Sequence, residues 1–342
     1  MTTEPAPLVS VITPAFNCET YLPHCIDSVR SQTFGEWELL VVDDGSSDRT
    51  LEIARSAAMN DRRIHVLSHP DGGNHGVSAA RNLALGAACG TYVAFLDADD
   101  SWLPKLLERQ IEVFSRDRNL TLSYTQASCV DAADAPLCHP DWPHLIWVIG
   151  HAPAAGMVEH VFGGFLSTAV GIPVVTTAAP RRSVLDVGGF VEDLQYQVED
   201  AVLLAQLCRI GAVHFTEEIL ARYRVHPENF TATLTPLTSV ESVWELYLQL
   251  AAGRDTLEPE LAAAMLGCID RYLTTRNVPW RNRWRRARNV ARLLLDRGIA
   301  TPASIRSRFI AAWPLHFKRE MMISLRRHTR IGPAPWRSRE RP

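Results

Sequence analysis

The sequence predicts an α/β protein, a mostly parallel sheet with helices on both faces, followed by a C-terminal helical extension. Three observations carry this. Strand-like and helix-like segments alternate four times within about the first 125 residues, the pattern of parallel strands joined by crossover helices. Two acidic clusters, at 43–44 and 97–100, fall at the carboxyl ends of expected strands, where ligands bind in such sheets. Beyond residue 236 only helical patterns remain, and the last 60 or so residues are rich in arginine.

The elements follow in order. Residues 8–13 form a short β-rich run,. Tyr21, Leu22, Cys25, Ile26 and Val29 then recur at helical spacing,. Residues 37–42 read as a second strand, stopped by Asp43-Asp44-Gly45-Ser46; 51–58 reads as a helix and 64–67 as a third strand. Ser78 is expected to cap a helix running to Ala88,. Residues 92–96 make a fourth strand, and Pro104 suits the first turn of a helix with Leu107, Ile111 and Phe114 on its apolar face,. A fifth short strand is expected at 120–124. From about 126 to 190 the pattern breaks down, with Pro136, Pro140, Pro143 and Pro153 marking irregular connections. Helix returns at 198–210 and ends at Gly211,. Residues 240–250 and 261–273 look like amphipathic helices outside the sheet, and Pro302 and Pro314 break the arginine-rich end.

The 342 residues suffice for one large domain with an appendage, or for two domains,. The net charge of −3 hides a segregation: 19 Lys and Arg against 3 acids from Arg271 onward, and 16 against 35 before it. A basic tail on an acidic body suggests an anionic partner for the tail, with lipid favoured and no nucleic acid expected. Seven cysteines without a C-x-x-C spacing read as thiols in a reducing compartment,. The first residues, MTTEPAPLVS, lack the charged and apolar regions of a secretory signal,. The sequon Asn229-Phe230-Thr231 is therefore expected to stay unglycosylated,. No apolar run reaches the ~18 residues of a membrane span. The expected location is the cytoplasm, with peripheral contact to the inner face of the membrane as an option.

The chemistry concentrates in four stretches. In YVAFLDADDSWLP (92–104), a core strand ends in Asp97, Asp99 and Asp100. Three carboxylates so close repel one another unless a cation compensates them. Hard divalent cations take oxygen ligands, and Mg²⁺ often combines one or two carboxylates with substrate phosphates. The plainer alternative is a solvated acidic turn before the next helix. VVDDGSSDRT (41–50) either caps a turn or holds the ribose or base of a nucleotide. The first strand is followed by PAFNCE rather than Gly-x-Gly-x-x-Gly, so a dinucleotide fingerprint is missing,. QVEDAVLLAQLCRIG (197–211) puts Glu199 and Asp200 at a helix start, where acids favour the helix dipole,. In ARYRVHPENFT (221–231), Arg224 and His226 share one face, which suits an anion-binding edge, although a lone histidine is usually structural.

Together these stretches resemble glycosyltransferase family 2, inverting transferases of the GT-A, Rossmann-like fold. The matching residues are VSVITPAFN with CIDSVRSQTFGEWELLVVDDGSSDRT, then GVSAARNLALGAACGTYVAFLDADD, GGF at 188–190, VED at 198–200 and YRVH at 223–226. The Q-x-x-R-W motif of processive polysaccharide synthases is absent, which argues for transfer of single sugars. The resemblance implies a transferase domain at 8–235, with a nucleotide-sugar-binding half at 8–125 and an acceptor and catalytic half at 126–235. Residues 236–342 form the helical, basic C-terminal region. It implies that the backbone around Pro14 and the side chains of Asp43, Asp44 and Arg81 contact base and ribose. Asp97 would face the ribose or a metal-bound water. Asp99 matches the principal metal ligand, and His226 a position near the metal or diphosphate. Asp100 would cap the next helix. Asp200 matches the catalytic base, tuned by Glu199. The implied cofactor is a divalent cation, Mn²⁺ or Mg²⁺. The donor is a nucleotide-sugar, with UDP the expected nucleotide, and the acceptor a hydroxyl of a glycan or glycolipid.

Two rival readings lack support in the sequence. A sugar-1-phosphate nucleotidyltransferase would need a Gly-rich phosphate loop that PAFNCE lacks. A degenerate nucleotide-sugar-binding scaffold has no reason to keep both Asp99 and Asp200. Trp142 and Trp147 are expected either to stack on a sugar or lipid or to anchor a loop. In the tail, Trp284, Ala287, Ala291 and Leu294 form an apolar stripe among Arg283, Arg285, Arg286, Arg288 and Arg292. Phe317, Met321 and Leu325 form a second among Lys318, Arg319, Arg326 and Arg327. Such stripes suit either a membrane interface or packing against the protein itself.

Overall fold

The computed structural model describes residues 7–137, 156–158, 161–166, 172–194, 198–229, 236–254, 256–274, 280–296 and 298–311. Trp142, Trp147 and the stripe from Phe317 to Leu325 lie outside these residues. The chain divides into two compact units, 1–234 with 245–253, and 235–244 with 254–342.

Among its described residues the first unit has a nine-stranded sheet of order β3 (Ile64–Ser68), β2 (Trp37–Asp43), β1 (Val9–Ala15), β4 (Tyr92–Phe95), β8 (Thr177–Pro180), β6 (Leu120–Val130), β9 (Ala212–Arg224), β5 (Ser101–Trp102), with β7 (Gly156–Val158) also paired to β9. Strands β1 (Val9–Ala15), β2 (Trp37–Asp43), β3 (Ile64–Ser68) and β4 (Tyr92–Phe95) are mutually parallel, as expected. Alternate residues face opposite layers. Val9, Val11, Leu39, Val41 and Ala94 pack under α1 (Leu22–Arg30), α2 (Thr50–Asn60) and α4 (Leu106–Arg116). α3 (Val77–Ala87) packs against β1, β2 and β3 and buries Ala80, Ala84 and Leu85.

Beyond β4 the sheet is mixed rather than mostly parallel. β8 (Thr177–Pro180) runs antiparallel to both β4 and β6 (Leu120–Val130), whereas β6 and β9 (Ala212–Arg224) are parallel. The short β5 (Ser101–Trp102) and β7 (Gly156–Val158) are antiparallel to β9. β6 extends six residues past the expected fifth strand, into the region where the sequence pattern broke down. Register shifts at Thr125 to Ala127 explain the lost periodicity, since a bulge interrupts the two-residue alternation,. The Trp102 indole N–H donates to the Val175 carbonyl (2.7 Å) and Gln110 Nε2 to that of Thr176 (2.7 Å), fixing the segment that enters β8.

Two small helices, α5 (Val161–Leu166) and α6 (Arg181–Asp186), precede α7 (Glu199–Ile210). Gly211 after α7 is extended, φ −169°, rather than left-handed. α8 (Pro236–Ala251) contributes to both units. In the second unit, α9 (Pro259–Thr274) buries Leu261, Met265, Cys268 and Ile269. α10 (Trp280–Asp296) buries Ala287, Val290, Ala291 and Leu294, and α11 (Pro302–Ala311) buries Ile305. The apolar stripe of α10 is thus a packing surface, and Arg285, Arg288 and Arg292 are exposed. Arg286 pairs with Glu241 and Arg308 with Asp270 inside the same unit. No helix among the described residues is long and apolar enough to cross a membrane.

Candidate active site

Parallel strands deliver their carboxyl ends to one edge of the sheet. Asp43 ends β2 opposite Ala15 of β1, and Asp97 lies two residues past the end of β4. Pro14 sits in the same stretch of β1. Asp43 is buried, and its Oδ1 has no hydrogen-bond partner among the described residues. Asp44 accepts from the backbone N–H of His75 and of Gly76, both at 2.8 Å. This carboxylate, rather than Ser78, serves the amino end of α3: the helix starts at Val77 and Ser78 lies inside it. Gly45 permits the close approach. Its φ is +76°, and a Cβ there would lie 2.8 Å from the Asn74 nitrogen. A carboxylate has about four lone-pair sites, so Asp44 retains acceptor capacity beyond these two bonds.

The three carboxylates of the D-A-D-D turn have separate surroundings. Asp97 Oδ1 accepts from Arg81 Nη2 at 2.7 Å, and Arg81 Nη1 reaches Glu199 Oε1 at 2.9 Å. The Arg81 side chain is 4% exposed, so its guanidinium is an internal bridge between the end of β4 and the start of α7. Burial opposes this charge, but the two carboxylates and Asp200 hold its pKa above the usual arginine value. Asp100 does not cap a helix. It is buried, and its Oδ1 accepts the backbone N–H of Arg224 at 2.7 Å. Burial first, then repulsion by Asp99 and Asp97, pushes its carboxyl well above the ordinary range.

Asp99 is the carboxylate without a permanent cation. Its Oδ2 lies 3.1 Å from His226 Nε2 and 3.2 Å from Asn229 Nδ2, and Oδ1 has no donor among the described residues. The His226 backbone N–H donates to Asn229 Oδ1 (2.5 Å), and its ring stacks on Tyr21 with centroids 4.9 Å apart. Among the described residues no three His, Cys, Asp or Glu side chains gather as a metal-binding group. Asp99 offers a carboxylate oxygen of the kind a hard divalent cation takes, with His226 Nε2 beside it, and most positions of such a cation would be left to substrate phosphate and water,. Asp99 and Asp97 side chains remain 26% and 29% exposed, so both reach solvent.

Asp200 lies in the first turn of α7, its Oδ1 accepting from the Ala201 N–H at 2.6 Å. Its side chain is partly exposed, yet dense surroundings and neighbouring Glu199 raise its pKa to about 7, against the opposing pull of Arg81. The GGF turn supports α3 from the far side. Asn82 Nδ2 donates to the Phe190 carbonyl (2.8 Å), and the Phe190 N–H donates back to Asn82 Oδ1 (2.9 Å). Gly189, φ +70°, leaves no room for a Cβ, which would meet Asn82 Oδ1 at 2.8 Å.

Sequence reasoning missed Tyr21, Asn229 and the role of Arg224. Arg224 is 2% exposed and committed to protein acceptors, so it is no free anion-binding group. The P-E-N after His226 was a usable signal for Asn229, since a turn brings residue i+3 back over residue i. Nothing local pointed to Tyr21, which lies 205 positions before the ring it stacks on.

A parallel half-sheet with carboxylates at its strand ends, joined to a mixed half carrying a further acid at a helix start, is the GT-A fold of glycosyltransferases. Residues 10–136 match the model described as glycosyl transferase family 2. The chain is similar to the putative teichuronic acid biosynthesis glycosyltransferase TuaG of Bacillus subtilis (strain 168), 43% identical over 131 residues, 38% of this chain and 51% of that protein. It also resembles the UDP-Glc:alpha-D-GlcNAc-diphosphoundecaprenol beta-1,3-glucosyltransferase WfgD of Escherichia coli, 41% identical over 117 residues, 34% of this chain and 44% of that one. The matches thus span about half the length of these curated relatives. Among solved structures, S. aureus TarS residues 1–349 in complex with UDP-GlcNAc shares the fold, with a TM-score of 0.62 at 18% identity, covering 93% of this chain and 89% of that one.

Proposed function

We propose that the protein is a metal-assisted, inverting glycosyltransferase moving one sugar from a nucleotide-sugar, with UDP as nucleotide, to a hydroxyl of a glycan or glycolipid acceptor. The observation that carries this reading is the division of labour at the strand end: an open Asp99–His226 pair on one side, and Asp200 with a carboxyl near 7 on the other. UDP-sugar donors in two similar proteins, and a lipid-linked acceptor in one, support the substrate classes.

In this reading Asp200 accepts the acceptor hydroxyl's proton as that oxygen attacks the anomeric carbon. A base with a pKa near the working pH is efficient in this task. Glu199 and Arg81 hold the start of α7 against the end of β4, which fixes Asp200 relative to the donor. Asp43, Asp44 and the backbone at Pro14 line the base and ribose end. A divalent cation held by Asp99 and His226 with the diphosphate would stabilise the charge on the leaving nucleoside diphosphate. One base and one displacement give inversion.

Arg285, Arg288 and Arg292 support a peripheral, purely electrostatic contact with an anionic membrane surface, which would bring the site to a lipid-linked acceptor. The decisive experiment is Asp200→Asn, which keeps the volume but cannot take a proton. Transfer should fall on the order of 10²-fold or more while donor binding, read by thermal shift with Mn²⁺ and UDP-sugars, persists. Undiminished transfer by this variant would remove Asp200 from the role.

A further inference from the structure

Arg224 touches more of the site's framework than any residue assigned to the chemistry. Its backbone N–H donates to Asp100 Oδ1 (2.7 Å) and its Nε to the main-chain carbonyl of Asp99 (2.8 Å). Its Nη1 donates to the carbonyls of Asp131 (3.1 Å) and Ala132 (3.4 Å), and its Nη2 to Asp134 Oδ1 (2.7 Å). The guanidinium lies 5.1 Å from the Tyr21 ring centroid, and Tyr21 stacks on His226. The turn it grips follows β6. The Asp131 N–H donates to the Ala135 carbonyl, Leu137 N–H to Cys129, and Asp134 has a left-handed φ of 65°.

We propose that Arg224 is a positioning residue, a latch that ties the Asp131–Asp134 turn to Asp99 and so fixes the Asp99–His226 pair for a metal-bound diphosphate; this rests on the reading above. Three physical points carry it. A guanidinium has five N–H donors in a rigid plane. Here that plane spans Asp99 on one side and the turn on the other, so neither can shift without breaking bonds of the other. The charge is buried beside Asp99 and Asp100 and offsets their repulsion at no cost to the open oxygen of Asp99, because Arg224 takes only the Asp99 main-chain carbonyl. The ring of Tyr21 then links the same guanidinium to His226, so both members of the pair answer to one side chain.

Lysine cannot reproduce the planar, two-sided geometry. Arg224→Lys is therefore one test, and Asp134→Ala the other, since Asp134 is 41% exposed and its loss cuts only the outer end of the latch. Calorimetric titration with UDP, with and without Mn²⁺, separates positioning from general damage. In the unaltered protein Mn²⁺ should tighten UDP binding. Arg224→Lys should lose about 10-fold of that gain, the scale of groups that orient metal ligands, and Asp134→Ala a smaller part, while metal-free UDP binding stays unchanged in both. If Arg224→Lys does not fold, Asp134→Ala alone decides. Variants that keep the whole Mn²⁺ gain overturn the latch and leave the transferase reading standing. Absence of any Mn²⁺ gain in the unaltered protein overturns the metal reading, and the latch with it.

Discussion

The two corners of the D-A-D-D turn are built on opposite plans. At the Asp97 corner, a buried arginine clamps two carboxylates from segments 102 residues apart. At the Asp99 corner, the side-chain partners are an imidazole and an amide, and among the described residues one oxygen is left without a donor. The first is an ion-pair network around a buried guanidinium: losing Arg81 would strand the buried Glu199 carboxylate, while Asp97, 29% exposed, keeps access to water. The second is a site whose negative charge is left for something else to balance. Two carboxylates of one turn thus divide into one paired with a buried arginine and one left open to a further partner, and side-chain partnership decides which is which.

The comparison breaks most sharply at Arg81. Arg81→Met should strand Glu199 and cost about 3–5 kcal/mol, the usual penalty for removing one member of a buried pair. Chemical denaturation would measure it, and a loss under 1 kcal/mol would mean that the corner is not closed. Asp99→Asn, in contrast, should leave stability within about 1 kcal/mol while abolishing any dependence of transfer on divalent cation. Equal destabilisation by the two substitutions would erase the distinction.

The pH profile sharpens it further. Asp200 must be ionised to act as base, and its carboxyl lies near 7. Transfer, followed as kcat/KM, should rise with pH and level off above about 7. Glu199→Gln removes a negative charge that raises this value, so the limb should move to lower pH. An unshifted limb would assign it to another group. The smallest effect is expected at the second unit. Glu in place of Arg285, Arg288 and Arg292 should abolish sedimentation with anionic vesicles, leaving activity on a soluble acceptor intact. Near such a surface each arginine contributes about 1 kcal/mol. Sedimentation that survives this triple substitution would exclude α10 as the contact.

The sequence by itself determined the parallel half of the sheet and which residues end its strands. Alternating apolar runs and helical spacing are local signals, and β1 to β4 with α1 to α4 follow from them. Local pattern also flagged the acids at 97–100 and 199–200 and the His226 edge, while the choice of Asp99, Asp200 and His226 among them came from the resemblance to glycosyltransferase family 2. Only the tertiary structure decided their partners. Arg81 meets Glu199 across 118 positions, and Arg224 meets Asp100 across 124. No periodicity encodes such pairings; they arise when β8 and β9 join the sheet and α7 packs against it. The bulged β6 and the direction of β8 escaped for the same reason, as strand direction is chosen by packing rather than by local pattern. The stripe on α10 shows the limit most plainly: its amphipathic spacing suits a membrane or a helix equally, and the burial of Ala287, Ala291 and Leu294 beside α9 settled the choice.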